Sequence, residues 1–445
     1  MNDDPVTGSP APSGPLTRLL RRVVDVRPGE AEALAWAWVY FFSILSAYYV
    51  IRPIRDEAGV AGGVANLPWL FTGTLVAMAA ANPLFGLLVS RLARVRFIAV
   101  TYRFFMANLV LFLALFLLST GSVHVWVGRV FYVWTAVFNL FVVSVFWALM
   151  VDIFDSGQSR RLFGFIAAGG TLGGIAGSLL TSTLVRLVGP AALLLLSVAL
   201  LEVAVLSVRR LSRLSHRLGD APRADDPDAV AIGGSALAGL VQAVRSPYLL
   251  NISLYMLLFT ILSTFLYFQQ ASIVAESFAD RAARTVFFAN VDLAVNTLTL
   301  LAQLFVTGRV LAALGVALTL TLLPLLSVMG FFALGVAPTL AAVVAFQVLR
   351  RAGNFALARP TREILFTVLG REDKYKAKSF IDTFVYRAGD QVGAWSYALM
   401  GVLGLGVSGV GFVAVPISLA WLLNALWLGR RQEAMARGDR PAGRR

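Results

Sequence analysis

Apolar positions in this chain come in long unbroken runs separated by short polar turns. The first run, "LAWAWVYFFSILSA", meets "YYVIRPIRDEAG" (Tyr48–Gly59), where two arginines, an aspartate and a glutamate surround a proline. Runs of this kind fall at about 33–52, 67–90, 97–119, 125–150, 162–185, 188–207, 247–270, 285–307, 311–335, 338–358, 379–400 and 404–428. Each is about 20 residues long, enough for a helix to cross ~30 Å of hydrocarbon. Membrane β-strands would alternate over about ten residues, and these runs do not. The pattern predicts an all-α integral membrane protein with twelve transmembrane helices. The tenth and eleventh runs are the most polar.

The longest polar interruption follows the sixth run and splits the chain into six plus six. The expected organisation is a tail over 1–30, a six-helix bundle over 31–207, a linker over 208–246, a second bundle over 247–428 and a basic tail over 429–445. "GLLVSRLARVR" (Gly86–Arg96) after the second run and "TGRVLAALG" (Thr307–Gly315) after the eighth occupy equivalent places in that repeat. Paired halves with a site at their interface describe a rocking transporter. The first stretch resembles the loop signature of the major facilitator superfamily, with Ser90 where that signature has aspartate and Ala93 where it has glycine.

Composition agrees with a polytopic chain: 58% of the 445 residues are hydrophobic and 14% charged, with a mean hydropathy of +0.77. Soluble chains carry about a quarter charged residues. The net charge of +14 does not indicate a nucleic-acid polymer as partner, because the basic residues lie between apolar runs and not on one soluble face. The partners expected are the lipid bilayer and a small anionic substrate, and the chain is expected to work as a monomer. There is no cysteine and there are two histidines, so no metal site, cofactor or covalent catalysis is expected and the chain is not read as an enzyme. The tail "MNDDPVTGSPAPSGP" has the composition of a disordered segment.

Basic residues also orient the chain. With the N-terminus placed in the cytoplasm, 28 of the 38 Lys and Arg residues fall in inside segments, 6 in outside segments and 4 within spans. The positive-inside rule then places both termini in the cytoplasm, in a bacterial inner membrane.

Charges inside the membrane mark function or structural pairs. The strongest set is Arg52, Arg55, Asp56 and Glu57, at the end of the first run and on the side where the protein otherwise avoids basic residues. Arg52 and Asp56 are i,i+4 neighbours and are expected to pair, leaving Arg55 for a ligand, with Pro53 expected to bend the helix. The competing reading is an interfacial anchor whose arginines snorkel. Further candidates for binding are Trp147, Asp292, Asn296, Arg350, Asn354, Arg387 and Asp390. Asp292 and Asn296 share a helix face, and Asp390 can pair with Arg387, Arg350 or Arg351. Arg103 lies within the third span, and Glu202 is read as interfacial. At the turns, Asp152, Arg160 and Arg161 oppose Arg362, Glu363, Lys376 and Lys378. These can act as an inner gate between the bundles or simply as topology signal. Gly169, Gly173 and Gly177 form a small-residue row for close helix packing.

Three stretches together resemble the ATP/ADP translocases, nucleotide carriers of the major facilitator superfamily. They are "IRPIRDEAG", the segment from Phe146 to Ser178 that ends in "SRRLFGFIAAGGTLGGIAGS", and "NFALARPTREILFTVLGREDKYKAKSFIDTFVYRAGDQVG" (Asn354–Gly393). The resemblance implies a major facilitator fold, nucleotide exchange, and basic membrane residues that hold phosphate. It maps onto Arg52, Arg55 and Asp56, onto Arg160 and Arg161, and onto Pro360, Thr361, Arg362, Glu363, Lys376, Lys378, Asp382 and Arg387. Asp390 stands where that family has a lysine, so fewer phosphates are expected on the ligand. The expected function is an alternating-access antiporter for an anionic, phosphorylated or nucleotide-like metabolite. Alternatives are a proton-coupled carrier that titrates Asp292 or Asp390, and a carrier fold that scaffolds or handles lipid.

Overall fold

A computed structural model describes residues 24–27, 29–91, 94–218, 246–369, 377–378 and 380–438. The described residues are helical almost throughout, with no strand among them. Helix α1 is Ala31–Ala61, α2 Leu67–Arg91, α3 Arg94–Leu118 and α4 Gly121–Ile153. Ser156–Leu218 is helical over 63 residues except at Gly189 (φ 81°, ψ 158°), which breaks it into two helices. We label its arms α5 (156–188) and α6 (190–218). Glycine tolerates this positive φ, and Pro190 then starts the next helix with a preset backbone. The second half holds α7 Pro247–Ser277, α8 Arg281–Phe305, α9 Thr307–Val336 and α12 Val407–Ala436. Between the last two, α10 (340–365) and α11 (381–402) each contain a π-helical turn, Asn354–Ala358 and Ile381–Val385.

Ten of these helical segments meet the length and hydropathy needed to cross a membrane. One of the ten, Arg161–Leu214, has 54 residues, about 81 Å of helix at 1.5 Å per residue. It therefore crosses twice, once on each side of Gly189. Adding α11 gives twelve crossings among the described residues. The even number puts both chain ends on one side, here called the terminal face, opposite a far face.

The apolar runs account for where the cores sit. One core lies within Val26–Leu211 and a second within Tyr248–Leu428. A third, smaller one joins the halves at the far face. There Val60, Leu67, Leu70 and Tyr132 pack on Phe268, Ala271, Val274, Phe288 and Ala394. Trp69 on α2 meets Trp395 on α11 edge-to-face at 4.9 Å, and the Thr72 hydroxyl donates to Gln391 Oε1 at 2.9 Å.

The glycine row on α5 sets how close α1 comes. A Cβ on Gly173 would lie 2.4 Å from the Phe42 carbonyl oxygen, and one on Gly177 2.4 Å from that of Ser46. Gly169 faces Trp38 in the same way at 3.0 Å. The Ser46 hydroxyl donates to the Gly173 carbonyl at 3.0 Å, a bond available only because the backbones approach. Gly174, one residue off the row, makes room instead for Asn296 of α8, 3.1 Å from where its Cβ would stand. The row thus serves the contact inside the first half, and Gly174 beside it serves the α5–α8 contact between halves.

Helix α1 differs from expectation in its length. The apolar run ends near residue 52, but the helix continues through Pro53 to Ala61. The cluster of charges sits inside its last turns, not in a loop beyond the helix.

Candidate functional site

On α1, Arg52, Arg55 and Asp56 lie at i, i+3 and i+4 and so face one way. Arg52 Nη1 reaches Asp292 Oδ1 on α8 at 2.9 Å, whereas its nearest approach to Asp56 is 3.9 Å. The expected i,i+4 partner is thus the weaker one, and the strong partner belongs to the other half. Arg351 Nη1 on α10 donates to the same Asp292 oxygen at 2.7 Å. One carboxylate, its side chain 2% exposed, therefore holds two arginines that are each under one-fifth exposed.

Arg55 takes the neighbouring place. Its Nη1 lies 3.4 Å from Asp56 Oδ1, and its guanidinium lies 4.0 Å from the centre of the Tyr132 ring, a cation–π distance. Tyr267 of α7 donates its hydroxyl to Asp56 at 3.1 Å, and Tyr132 donates to Tyr267 at 3.1 Å. Asp56 is thus fixed by the second half as well. The sequence offered no signal for Tyr132 or Tyr267 beyond their being aromatic.

Several polar atoms around this centre are buried and lack a hydrogen-bond partner: Arg55 Nε, Arg351 Nη2, Asn296 Nδ2, Thr299 Oγ1 and Asp292 Oδ2. Asp292, Asn296 and Thr299 sit at i, i+4 and i+7 on α8, one face of the helix. Three of the orphaned atoms are N–H donors. An anion that satisfied them would remove a desolvation penalty of about 1–3 kcal/mol for each group.

The remaining candidates are distributed more widely. Arg387 and Asp390 pair within α11 at 3.3 Å. Arg350 does not join Asp390. It is 3% exposed and lies inside the second half, donating to Ser327 Oγ, Ser263 Oγ and the Phe259 carbonyl at 2.9–3.1 Å. Adjacent in sequence, Arg350 and Arg351 point to different neighbours because successive helix residues are about 100° apart. Trp147 packs among Phe41, Phe146 and Phe163 in the first half. Asn354 opens the π-turn of α10. Arg103 and Glu202 face each other at 3.4 Å on the exposed surface of α3 and α6.

Of the residues expected to bridge the halves at the terminal face, Arg161, Arg362, Glu363 and Lys378 pair within their own halves. Arg161 binds Glu30 at 2.9 Å and also donates to the Asp25 carbonyl. Glu363 is held by Lys378, which also approaches Asp382 at 3.4 Å. Arg362 is buried, with Nη1 2.9 Å from Met256 Sδ and Nη2 3.7 Å from Asp382. Asp152 lies in the last turn of α4. The Arg160 side chain, Lys376 and most of the linker lie outside the described residues.

Glu30 has a pH consequence. Burial works against its ionised form, but donors from Arg161, the Arg27 N–H and Gln158 outweigh it and hold the carboxyl below its ordinary value. A depressed folded-state value gives stability that is complete above the unfolded value of about 4.3 and disappears as pH falls through the lower folded one. Glu30→Gln is expected to melt earlier than wild type at neutral pH, and the gap should close only below about pH 4. Melting curves from pH 7 to 3 check this. A gap constant to pH 3 would show that Glu30 acts by shape alone.

No protein-family model matches this sequence, and no curated protein sequence is detectably similar to it. Solved structures do match in shape. A crystal structure of a bacterial homolog to the human lysosomal transporter Spinster, inward-facing and unoccupied, superposes with a TM-score of 0.53 at 12% identity, covering 93% of this chain and 98% of that one. A POT family transporter in complex with a thioalcohol-conjugated peptide gives 0.60 at 11% identity, covering 89% and 96%. A POT family transporter in complex with 5-aminolevulinic acid gives 0.59 at 10% identity with the same coverage. The fold is the major facilitator fold. In that frame the shared Asp292 carboxylate lies on the seam between the six-helix halves.

Proposed function

We propose that this chain is an alternating-access transporter for a small anionic metabolite, bound on the seam between the halves at Arg52, Arg55 and Arg351. The observation that carries this reading is the single Asp292 oxygen shared by Arg52 and Arg351. Such a carboxylate occupies the position that a ligand's own carboxylate or phosphate would take, with unpartnered donors on Arg55, Arg351 and Asn296 beside it. Arginine suits that task, since its planar fork of donors stays charged and matches carboxylate and phosphate geometry.

Charge bookkeeping narrows the ligand. Arg52, Arg55, Arg351 and Arg387 face Asp56, Asp292 and Asp390, which leaves one net positive charge. That balance fits a ligand with few charges, such as a phosphomonoester or a mononucleotide, better than a nucleoside triphosphate. The motif resemblance to nucleotide carriers supports the nucleotide-like end of this class. The concentration of basic residues on the terminal face supports placing both termini in the cytoplasm of a bacterial inner membrane. The far-face seal would then be the outer closure.

Counterflow in proteoliposomes tests the proposal. Vesicles preloaded with unlabelled AMP, ADP or a sugar phosphate are offered the labelled compound. Accumulation is expected for the monophosphates, with Arg55→Ala losing most of it at unchanged expression. Accumulation of none of these anions, or full activity in Arg55→Ala, would overturn the reading.

A further inference from the structure

One sizeable cavity lies off the seam. It is a crevice of about 980 Å³ on the outer side of the first half, lined by α2, α3 and α4. Its walls are apolar and aromatic, with a floor of buried residues such as Phe97 and Phe105 and a rim turned outward: Trp69 is 64% exposed, Trp126 62% and Phe104 61%. In a transmembrane chain this surface meets lipid, not water. Among the described residues that line it, Arg129 is the one charged side chain.

Depth decides what that arginine faces. Helix α4 has 33 residues, about 50 Å of helix against ~30 Å of hydrocarbon, so each end projects about 10 Å beyond it. Arg129 is eight residues from the start at Gly121, about 12 Å along, and so sits at the hydrocarbon boundary. Trp126 lies against it, 4.7 Å from ring centre to guanidinium, in the interfacial place tryptophan prefers. One N–H of Arg129 is spent on the Gly62 carbonyl at 3.0 Å, while its Nε is buried without a partner. Below it the crevice continues past Val133 and Val137 to Phe141, about 18 Å further along the helix. That spans the depth of one leaflet.

We infer that this crevice is a binding site for a bilayer phospholipid, with the phosphate on Arg129 and an acyl chain lying along α4 beneath it. Charge complementarity selects the headgroup phosphate, and the apolar walls select the chain. The site also adjoins the far-face seal. Trp69 forms part of the crevice wall and meets Trp395 of the other half edge-to-face, and Gly62, which Arg129 holds, ends helix α1.

The test uses the full chain, purified in detergent and delipidated, with dipalmitoyl phosphatidylglycerol titrated in and binding read by native mass spectrometry. One lipid should bind more tightly than the rest. Arg129→Ala should weaken it at least about tenfold. Val137→Trp, which fills the crevice and leaves the Gly62 bond alone, should do the same. Arg103→Ala, which removes an exposed arginine elsewhere on the lipid-facing surface (51% exposed), should leave it unchanged. Dipalmitoylglycerol, which lacks the phosphate, should bind at least about tenfold more weakly than the phospholipid, and inorganic phosphate should not displace the lipid. Unchanged affinity in Arg129→Ala or in Val137→Trp overturns the proposal. So does an equal loss in Arg103→Ala, equal binding of dipalmitoylglycerol, or displacement by inorganic phosphate, which would make this a site for a free anion.

Discussion

Asp292→Asn is expected to tighten anion binding and stop transport. In the wild type, the Asp292 oxygen lies 2.9 Å from an Arg52 nitrogen and 2.7 Å from an Arg351 nitrogen. Those two nitrogens are therefore at most about 5.6 Å apart, where two unit charges repel by about 3 kcal/mol at an effective dielectric near 20. The carboxylate offsets that repulsion and ties α1 to α8 across the seam. It also competes with any ligand anion for the same donors. Removing its charge leaves two arginines seeking an anion, so affinity rises, while the protein loses the internal partner that would displace the ligand. Breaking a buried pair in this way destabilises by about 3–5 kcal/mol. Arg351→Gln added to Asp292→Asn should recover much of the melting temperature, because it removes one orphaned charge, yet transport should stay absent. Ligand-induced melting shifts and counterflow, read on the two single variants and the double variant, make a double-mutant cycle. Wild-type counterflow in Asp292→Asn would show that the shared carboxylate plays no part in the cycle.

The helices were easier to read from the chain than their contacts. Runs of about 20 apolar residues define spans because every backbone polar group must be satisfied inside the bilayer, and that constraint leaves its mark in composition alone. The glycine row was equally visible, since only small residues let α1 and α5 touch at 2.4 Å from a missing Cβ. The ion pairs were not. Local spacing suggested Asp56 for Arg52, but the strong partner is Asp292, 240 residues away, and nothing in helical periodicity reports such a pairing. The same limit applies to Arg350, which shares a sequence neighbourhood with Arg351 but turns into the core of the second half. The polar tenth and eleventh spans were hard to delimit for a physical reason as well. Each carries a π-turn, which shifts the register of the faces on either side and blurs a regular apolar stripe.

Glu57 was part of the opening charge cluster without a distinct role in the sequence, and the structure makes it the clamp of the far face. Glu57→Gln is expected to open that face. The Glu57 side chain is 2% exposed and accepts from Arg281 Nε and Nη2, both at 3.0 Å, and from Arg284 Nη2 at 3.1 Å. Both arginines lie in the first turn of α8, in the other half, so the fork of Arg281 and the second guanidinium together close the seam above the third apolar core. Arg281 is 38% exposed and Arg284 12%, so water screens part of this attraction and the net effect is below that of a fully buried pair. A shift of about 1.4 kcal/mol toward the far-face-open state is a tenfold change in its population. The chain contains no cysteine, so one introduced cysteine gives a clean reading. Ala271→Cys places it within the sealed core, where Ala271 is 3% exposed. Its labelling by a membrane-impermeant maleimide from the far side should be slow in the parent and about tenfold faster with Glu57→Gln. Arg281→Ala should give a smaller increase, because Arg284 keeps its bond to the same carboxylate. Equal labelling rates in the parent and in Glu57→Gln would mean that the aromatic and apolar contacts hold the face shut without the ionic clamp.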